Sequence, residues 1–189
     1  MDNTTIYSRF AQWVKQNPDA PAIIEEGRQA SYKELDLLAD RIFGKFADSG
    51  SPFIGIVMSH GIEMIAAMLA VLKSGAAYVP AEPSLPKDRI DYMMDSAGVS
   101  LVITDDYCRD LPAAKSFPDR STPSGIAYVL YTSGTTGFSK GVMLTYRNLW
   151  GNVSFGISSR LHYQGSRCLS FLPLAHAYGC AFDMLVPLA

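Results

Sequence analysis

The sequence predicts an α/β fold, a largely parallel sheet flanked by helices, and three observations carry that prediction. Short apolar, β-prone runs alternate with stretches of helical periodicity along the chain. The run Phe53 to Met58, the apolar helical stretch Gly61 to Leu72 and the run Ala77 to Val79 form a βαβ unit, which requires parallel strands and a covering helix. With 189 residues, 48% of them hydrophobic, the chain can bury a substantial core.

From Thr4 to Gln16, Ile6, Phe10, Trp13 and Val14 recur at helical spacing, which predicts an amphipathic first helix ended by Asn17-Pro18-Asp19. Ala22 to Glu25, the turn at Glu26-Gly27 and the return at Gln29-Ala30 predict a small hairpin. Ser31 and Glu34 have the spacing of a capping box, and Leu35, Leu38, Ala39, Ile42 and Phe46 then share one helical face as far as Gly50. His60, after the strand beginning at Phe53, reads as a solvated turn histidine, with a ligand contact as the alternative.

Gly75 ends the helix of the βαβ unit, and Pro80, Pro83 and Pro86 steer the chain into another helix. That helix turns Ile90, Met93 and Met94 inward and stops near Gly98, before a strand at Leu101 to Thr104. Residues 105–125, acidic and then rich in proline and serine, predict a surface connector. Asp105 and Asp106 within it read as solvated, a metal pair being the alternative.

Ile126 to Tyr131 predicts a strand, and it feeds directly into Thr132-Ser133-Gly134-Thr135-Thr136-Gly137-Phe138-Ser139-Lys140-Gly141. Glycines at 134, 137 and 141 let successive N–H groups turn toward one anion. The hydroxyls of Ser133, Thr135 and Thr136 can donate to phosphate or hold magnesium, and Lys140 adds a positive charge. A flexible turn between two strands is the alternative reading. The spacing fits neither G-x-x-x-x-G-K-[ST] nor G-x-G-x-x-G, and the apolar Val142-Met143-Leu144 after the lysine predicts a second strand in place of a helix. Thr145 then caps a helix through about Ser158, Cys168 to Leu172 predicts a strand, and Cys180 to Leu188 is a closing apolar run.

Charge narrows the partners. A formal net charge of −2 with 18% charged residues offers no footprint for nucleic acid, and no Lys/Arg block suits an anionic membrane. The apolar stretch at Ile65 to Leu72 is too short to span a bilayer, and Met-Asp-Asn-Thr-Thr is unlike a signal peptide, so the expected location is cytoplasmic. Cys108, Cys168 and Cys180 lack metal-ligand spacing and read as idle thiols.

The stretch Thr132 to Val142 resembles the signature loop of the adenylate-forming (AMP-binding) superfamily, which includes acyl-CoA synthetases and peptide-synthetase adenylation domains. Ser139 stands where the family usually has proline, a change that bears on loop stiffness more than on phosphate contacts. Leu72 to Pro83 is similar to the stretch that precedes this loop in the family, closest in character to amino-acid-activating domains. Leu174-Ala175-His176-Ala177-Tyr178-Gly179 is similar to a segment of its acyl-CoA synthetases.

The resemblance implies that residues 1–189 are the amino-terminal part of an AMP-binding domain, with portions at about 1–104 and 126–189 joined by the connector at 105–125. It implies that ATP is held by Thr132, Ser133, Gly134, Thr135, Thr136, Gly137 and Lys140, that Mg2+ sits at Thr136, and that His176 serves the acyl pocket as a catalytic residue, a core histidine being the alternative. The activity expected of the full-length protein is activation of a carboxylic acid, foremost a fatty acid, as an acyl adenylate passed to coenzyme A. The alternatives are an amino-acid-activating adenylation domain and a non-catalytic nucleotide-binding module. The 189 residues alone are expected to be inactive and to self-associate through apolar surface left uncovered.

Overall fold

The computed structural model describes residues 4–133, 139–159, 165–170, 174 and 179–188. Helix α1 spans Ile6–Gln16 and is capped by Thr5, whose Oγ1 accepts from the Ser8 amide while the Ser8 hydroxyl oxygen accepts from the Thr5 amide. Strands β1 (Pro21–Glu25) and β2 (Arg28–Ser31) form the expected antiparallel hairpin. Helix α2 (Tyr32–Phe46) opens on the predicted capping box: Ser31 Oγ accepts from the Glu34 amide, and Glu34 Oε2 accepts from the Ser31 amide at 2.8 Å. Those bonds favour the charged carboxylate and lower the Glu34 pKa.

Strand β3 (Phe53–Val57), helix α3 (Ile62–Ser74) and strand β4 (Ala77–Ala81) realise the βαβ unit, and β3 and β4 pair in parallel from Phe53↔Ala77 to Val57↔Ala81. Helix α3 is buried almost all round because it lies between the sheet and helices α1 and α2. Helix α4 (Lys87–Ser96) leads to β5 (Leu101–Thr104), which returns to the far side of β3. The larger strands β6 (Ile126–Ser133) and β7 (Ser139–Thr145) complete a sheet of order β5-β3-β4-β6-β7, parallel except for β7. Helix α5 (Tyr146–Ser158) follows, with the predicted Thr145 cap.

Successive crossovers run in opposite directions, so their helices cover opposite faces. Helices α1, α2, α3 and α5 pack on one face in the main core, while Met93 and Met94 of α4 meet Val79, Ala81 and Val129 on the other. Gly55 makes that second contact possible. A Cβ there would stand 2.6 Å from Met94 Sδ and 3.1 Å from Val102 Cγ2.

Two expectations change. The connector lies on the surface as predicted, yet it is fastened to the helices: Arg41 donates to the carbonyls of Pro112 and Leu111, and the Phe117 ring lies 4.5 Å from that of Phe43. The Arg120 amide donates to the Lys73 carbonyl, and Ser121 and Thr5 share a hydroxyl bond at 2.7 Å. The strand expected over Cys168 to Leu172 does not form across residues 166–170, and residues 171–173 lie outside those described. Alternating polarity there lacks a partner strand, whereas the apolar run after Gly179 winds into a π-helix, Gly179–Leu185, and a final turn α6, Val186–Leu188.

Candidate functional site

The hairpin of β6 and β7 brings Thr132 directly opposite Lys140, and Ser133 opposite Ser139. Both Thr132 and Lys140 are exposed, and Lys140 has no carboxylate partner among the described residues. Because β6 runs parallel to β4, with Tyr128 beside Tyr78, the Ser133 end of the hairpin lies at the edge where β3, β4 and β5 also finish. This carboxyl edge is where open α/β sheets hold ligands. Gly134, Thr135, Thr136 and Gly137 lie outside the described residues, as does His176; for Ser133 only the backbone pairing is described.

The strand predicted after Lys140 is present, and α5 begins only at Tyr146, the full length of β7 away. No helix terminus therefore backs the hairpin end through β7. Gly141 has a different reason from the one its sequence suggested. It sits inside β7 without a positive φ, and a Cβ would lie 3.2 Å from both Tyr131 Cζ and Val129 Cγ1. A side chain there would press on the Tyr131 ring, and no left-handed φ calls for glycine. The Tyr131 hydroxyl is itself held by Ser96 Oγ at 2.6 Å.

The sheet edge next to β3 is densely bonded. The Ser59 amide and hydroxyl donate to Asp105, and Glu25 Oε2 accepts from the Ile62 amide at the start of α3. Arg28 spans Glu25 and Glu63. A cavity of about 380 Å³ opens here, with Arg28, His60, Glu63, Asp105 and Cys108 in its wall. Sequence reading missed it because the hairpin, the end of β3 and the segment after β5 are remote in the chain. His60 is more than a solvated turn residue: its Nε2 accepts from the Leu174 amide at 3.2 Å and lies 3.5 Å from Glu82 Oε1. Asp105 and Asp106 diverge to separate partners, Ser59 and Arg109. Among the described residues, no group of three or more His, Cys, Asp or Glu side chains could hold a metal.

Burial holds two of the thiols in their protonated form. Burial pushes Cys180 up to about 12, against the smaller opposing effect of its Tyr78 contact, and Cys108 up to about 11. Among the described residues no helix is long and apolar enough to cross a membrane.

The profile of AMP-binding enzymes matches residues 10–122 and 110–189, nearly the whole chain. The chain belongs to the family of AMP-binding enzymes. Its curated relatives include bacitracin synthase 3 of Bacillus licheniformis, 33% identical over 83% of this chain and 3% of that one. They also include the ferrichrome siderophore peptide synthetase of Mycosarcoma maydis, 35% identical over 99% and 5% respectively. Surfactin synthase subunit 3 of Bacillus subtilis (strain 168) is 34% identical over 76% of this chain and 13% of its own length. This AMP-binding chain thus spans a small part of those relatives.

Among solved structures, the nonribosomal peptide synthetase FmoA3 in its AMPPNP-bound form matches 98% of the chain with a TM-score of 0.87 at 28% identity, the match covering 22% of FmoA3. The amino-terminal subdomain of Klebsiella oxytoca NpsA, with 3-hydroxyanthranilyl-AMSN, shares the fold at a TM-score of 0.85 and 20% identity, over 97% of this chain and 51% of that one. The ferrichrome relative and FmoA3 are peptide synthetases, so the likeness favours the amino-acid-activating alternative over the leading expectation of a fatty-acyl-CoA synthetase. The likeness at Leu174 to Gly179 covers six residues, whereas that to peptide synthetases covers nearly the whole chain.

Proposed function

We propose that the full-length protein activates an amino acid, or a closely related carboxylic acid, by condensing it with ATP to an acyl adenylate and pyrophosphate. A carrier-protein thiol then attacks the acyl adenylate, forming a thioester and releasing AMP. The observation that carries this reading is the family match together with likeness, across nearly the whole chain, to proteins named as peptide synthetases. Coenzyme A as acceptor has no comparable support. The placement of Thr132 and Lys140, exposed side by side at the carboxyl edge of the sheet, suits a polyphosphate.

In this proposal the stretch Thr132 to Lys140 binds the β- and γ-phosphates, with Thr136 as the oxygen donor to Mg2+. The metal would neutralise charge on the departing pyrophosphate. Lys140 contributes a fixed positive charge, and the hydroxyls orient the phosphate tail. His176 is proposed to border the acid's pocket. The test is amino-acid-dependent exchange of pyrophosphate into ATP by the full-length protein, set against a fatty-acid panel with coenzyme A. Exchange with an amino acid and loss of at least about tenfold in Lys140→Ala is expected. ATP binding without adenylate from any acid would overturn the assignment in favour of a binding module.

A further inference from the structure

We propose that His60 is a proton-controlled tether that holds the backbone at Leu174 when neutral and turns to Glu82 when charged. The finding behind it is that two incompatible partners meet one nitrogen. Nε2 of His60 accepts from the Leu174 amide, 114 residues away in sequence, at 3.2 Å. The same Nε2 lies 3.5 Å from Glu82 Oε1, a buried oxygen that receives no hydrogen bond among the described residues.

An acceptor nitrogen carries a lone pair, so the Leu174 bond requires the neutral tautomer with its proton on Nδ1. In that state Glu82 faces a lone pair and stays unsatisfied, as found. Adding a proton to Nε2 reverses both relations: the new N–H can donate to Glu82, and it opposes the Leu174 N–H, which must separate. One proton therefore exchanges a backbone tether for a carboxylate contact. His60 follows β3 and Glu82 follows β4, so the exchange connects the carboxyl ends of two neighbouring strands to Leu174.

Of the charged groups around His60, only Glu82 comes within 3.5 Å of its Nε2 among the described ion pairs, although the Asp105 carboxylate stands in the same cavity wall. Glu25 and Glu63 are engaged by Arg28 from the β1–β2 hairpin. On the segment after β5, Asp105 accepts from Ser59, Arg109 is paired with Asp106, and burial raises the Cys108 thiol so that it stays neutral. The His60 and Glu82 side chains are each about one-third exposed, so the proton can exchange with solvent.

The test is NMR on the 189-residue chain, reading the His60 ring nitrogens and the hydrogen-exchange protection of the Leu174 amide from about pH 8 to about pH 5. The expected result is an unprotonated Nε2 and a protected Leu174 amide at the upper end, with protection falling about tenfold as the ring is protonated. Glu82→Gln should weaken the release of Leu174, since it removes the carboxylate that would accept from the new N–H. His60→Ala should abolish the pH dependence of Leu174 protection beyond intrinsic exchange. A neutral ring with its proton on Nε2, protection indifferent to ring protonation, or a Leu174 release unchanged in Glu82→Gln would overturn the tether.

Discussion

Lys73 and Asp40 form an ion pair in the core, joining α3 to α2, with each side chain about 5% exposed or less. Tyr7 of α1 closes the group: its hydroxyl donates to Asp36 at 2.5 Å, and its ring lies 5.0 Å from the Lys73 ammonium. Desolvation raises the Asp40 pKa, opposed by the Lys73 bond, so neither charge is cheap to leave alone. Lys73→Ala should therefore destabilise the chain by about 3–5 kcal/mol, and Lys73→Met with Asp40→Leu should recover much of that loss. Urea denaturation of the single and double variants checks both statements.

Gly75 ends α3 at φ +82°, and a Cβ there would lie 2.7 Å from the Arg120 carbonyl oxygen. Left-handed strain and a backbone clash coincide, since the connector is already bonded to Lys73 two residues earlier. Gly75→Ala should cost about 2 kcal/mol or more. Gly27→Ala, also at positive φ but with open space around it, should cost less. Their order in a thermal melt decides whether the connector contact matters.

Tyr146 is fully buried, and its hydroxyl stands 2.8 Å from the Leu72 carbonyl and 2.9 Å from that of Ala76. It supplies acceptors at the end of α3 with a donor from α5. Tyr146→Phe should lower stability by about 1–3 kcal/mol, with little change in volume, and denaturant midpoints measure it.

Cys180 should resist alkylation in the folded chain at pH 8, where its thiolate fraction is on the order of 10⁻⁴. Cys168, only partly buried, should react first, as mass spectrometry after brief iodoacetamide treatment would show. The unfolded thiol ionises near its ordinary value of 9.0, below the folded value of about 12. The unfolded state therefore loses its proton first, and stability should fall as pH rises from 9 toward 12. Comparing urea midpoints of the native chain and Cys180→Ala across that range isolates the contribution.

Local signals were legible in the sequence. The Ser31–Glu34 and Thr145 caps, the helix stop at Gly75 and the strand after Lys140 all depend on neighbours within a few residues, and each is present. Long-range partners were not legible. Nothing beside Lys73 in the chain announces Asp40, and nothing near His60 announces Leu174, because those contacts arise only when crossovers stack the layers. Cys168 to Ser170 failed for the converse reason: a strand-like pattern stays irregular when no sheet edge receives it. At the hairpin, position was legible and the purpose of Gly141 was not, since the overlying Tyr131 ring belongs to the facing strand.

The fastened connector makes the passage from β5 to β6 a belt buckled at several points, by Arg41, Phe117, Arg120 and Ser121. Cutting such a belt once does not undress the molecule. The two polypeptides on either side of a nick near Ala114 still share a strand pairing between β4 and β6 and the reach of Tyr146 into α3. A cleaved chain should consequently travel as one particle, and separately made halves should find each other.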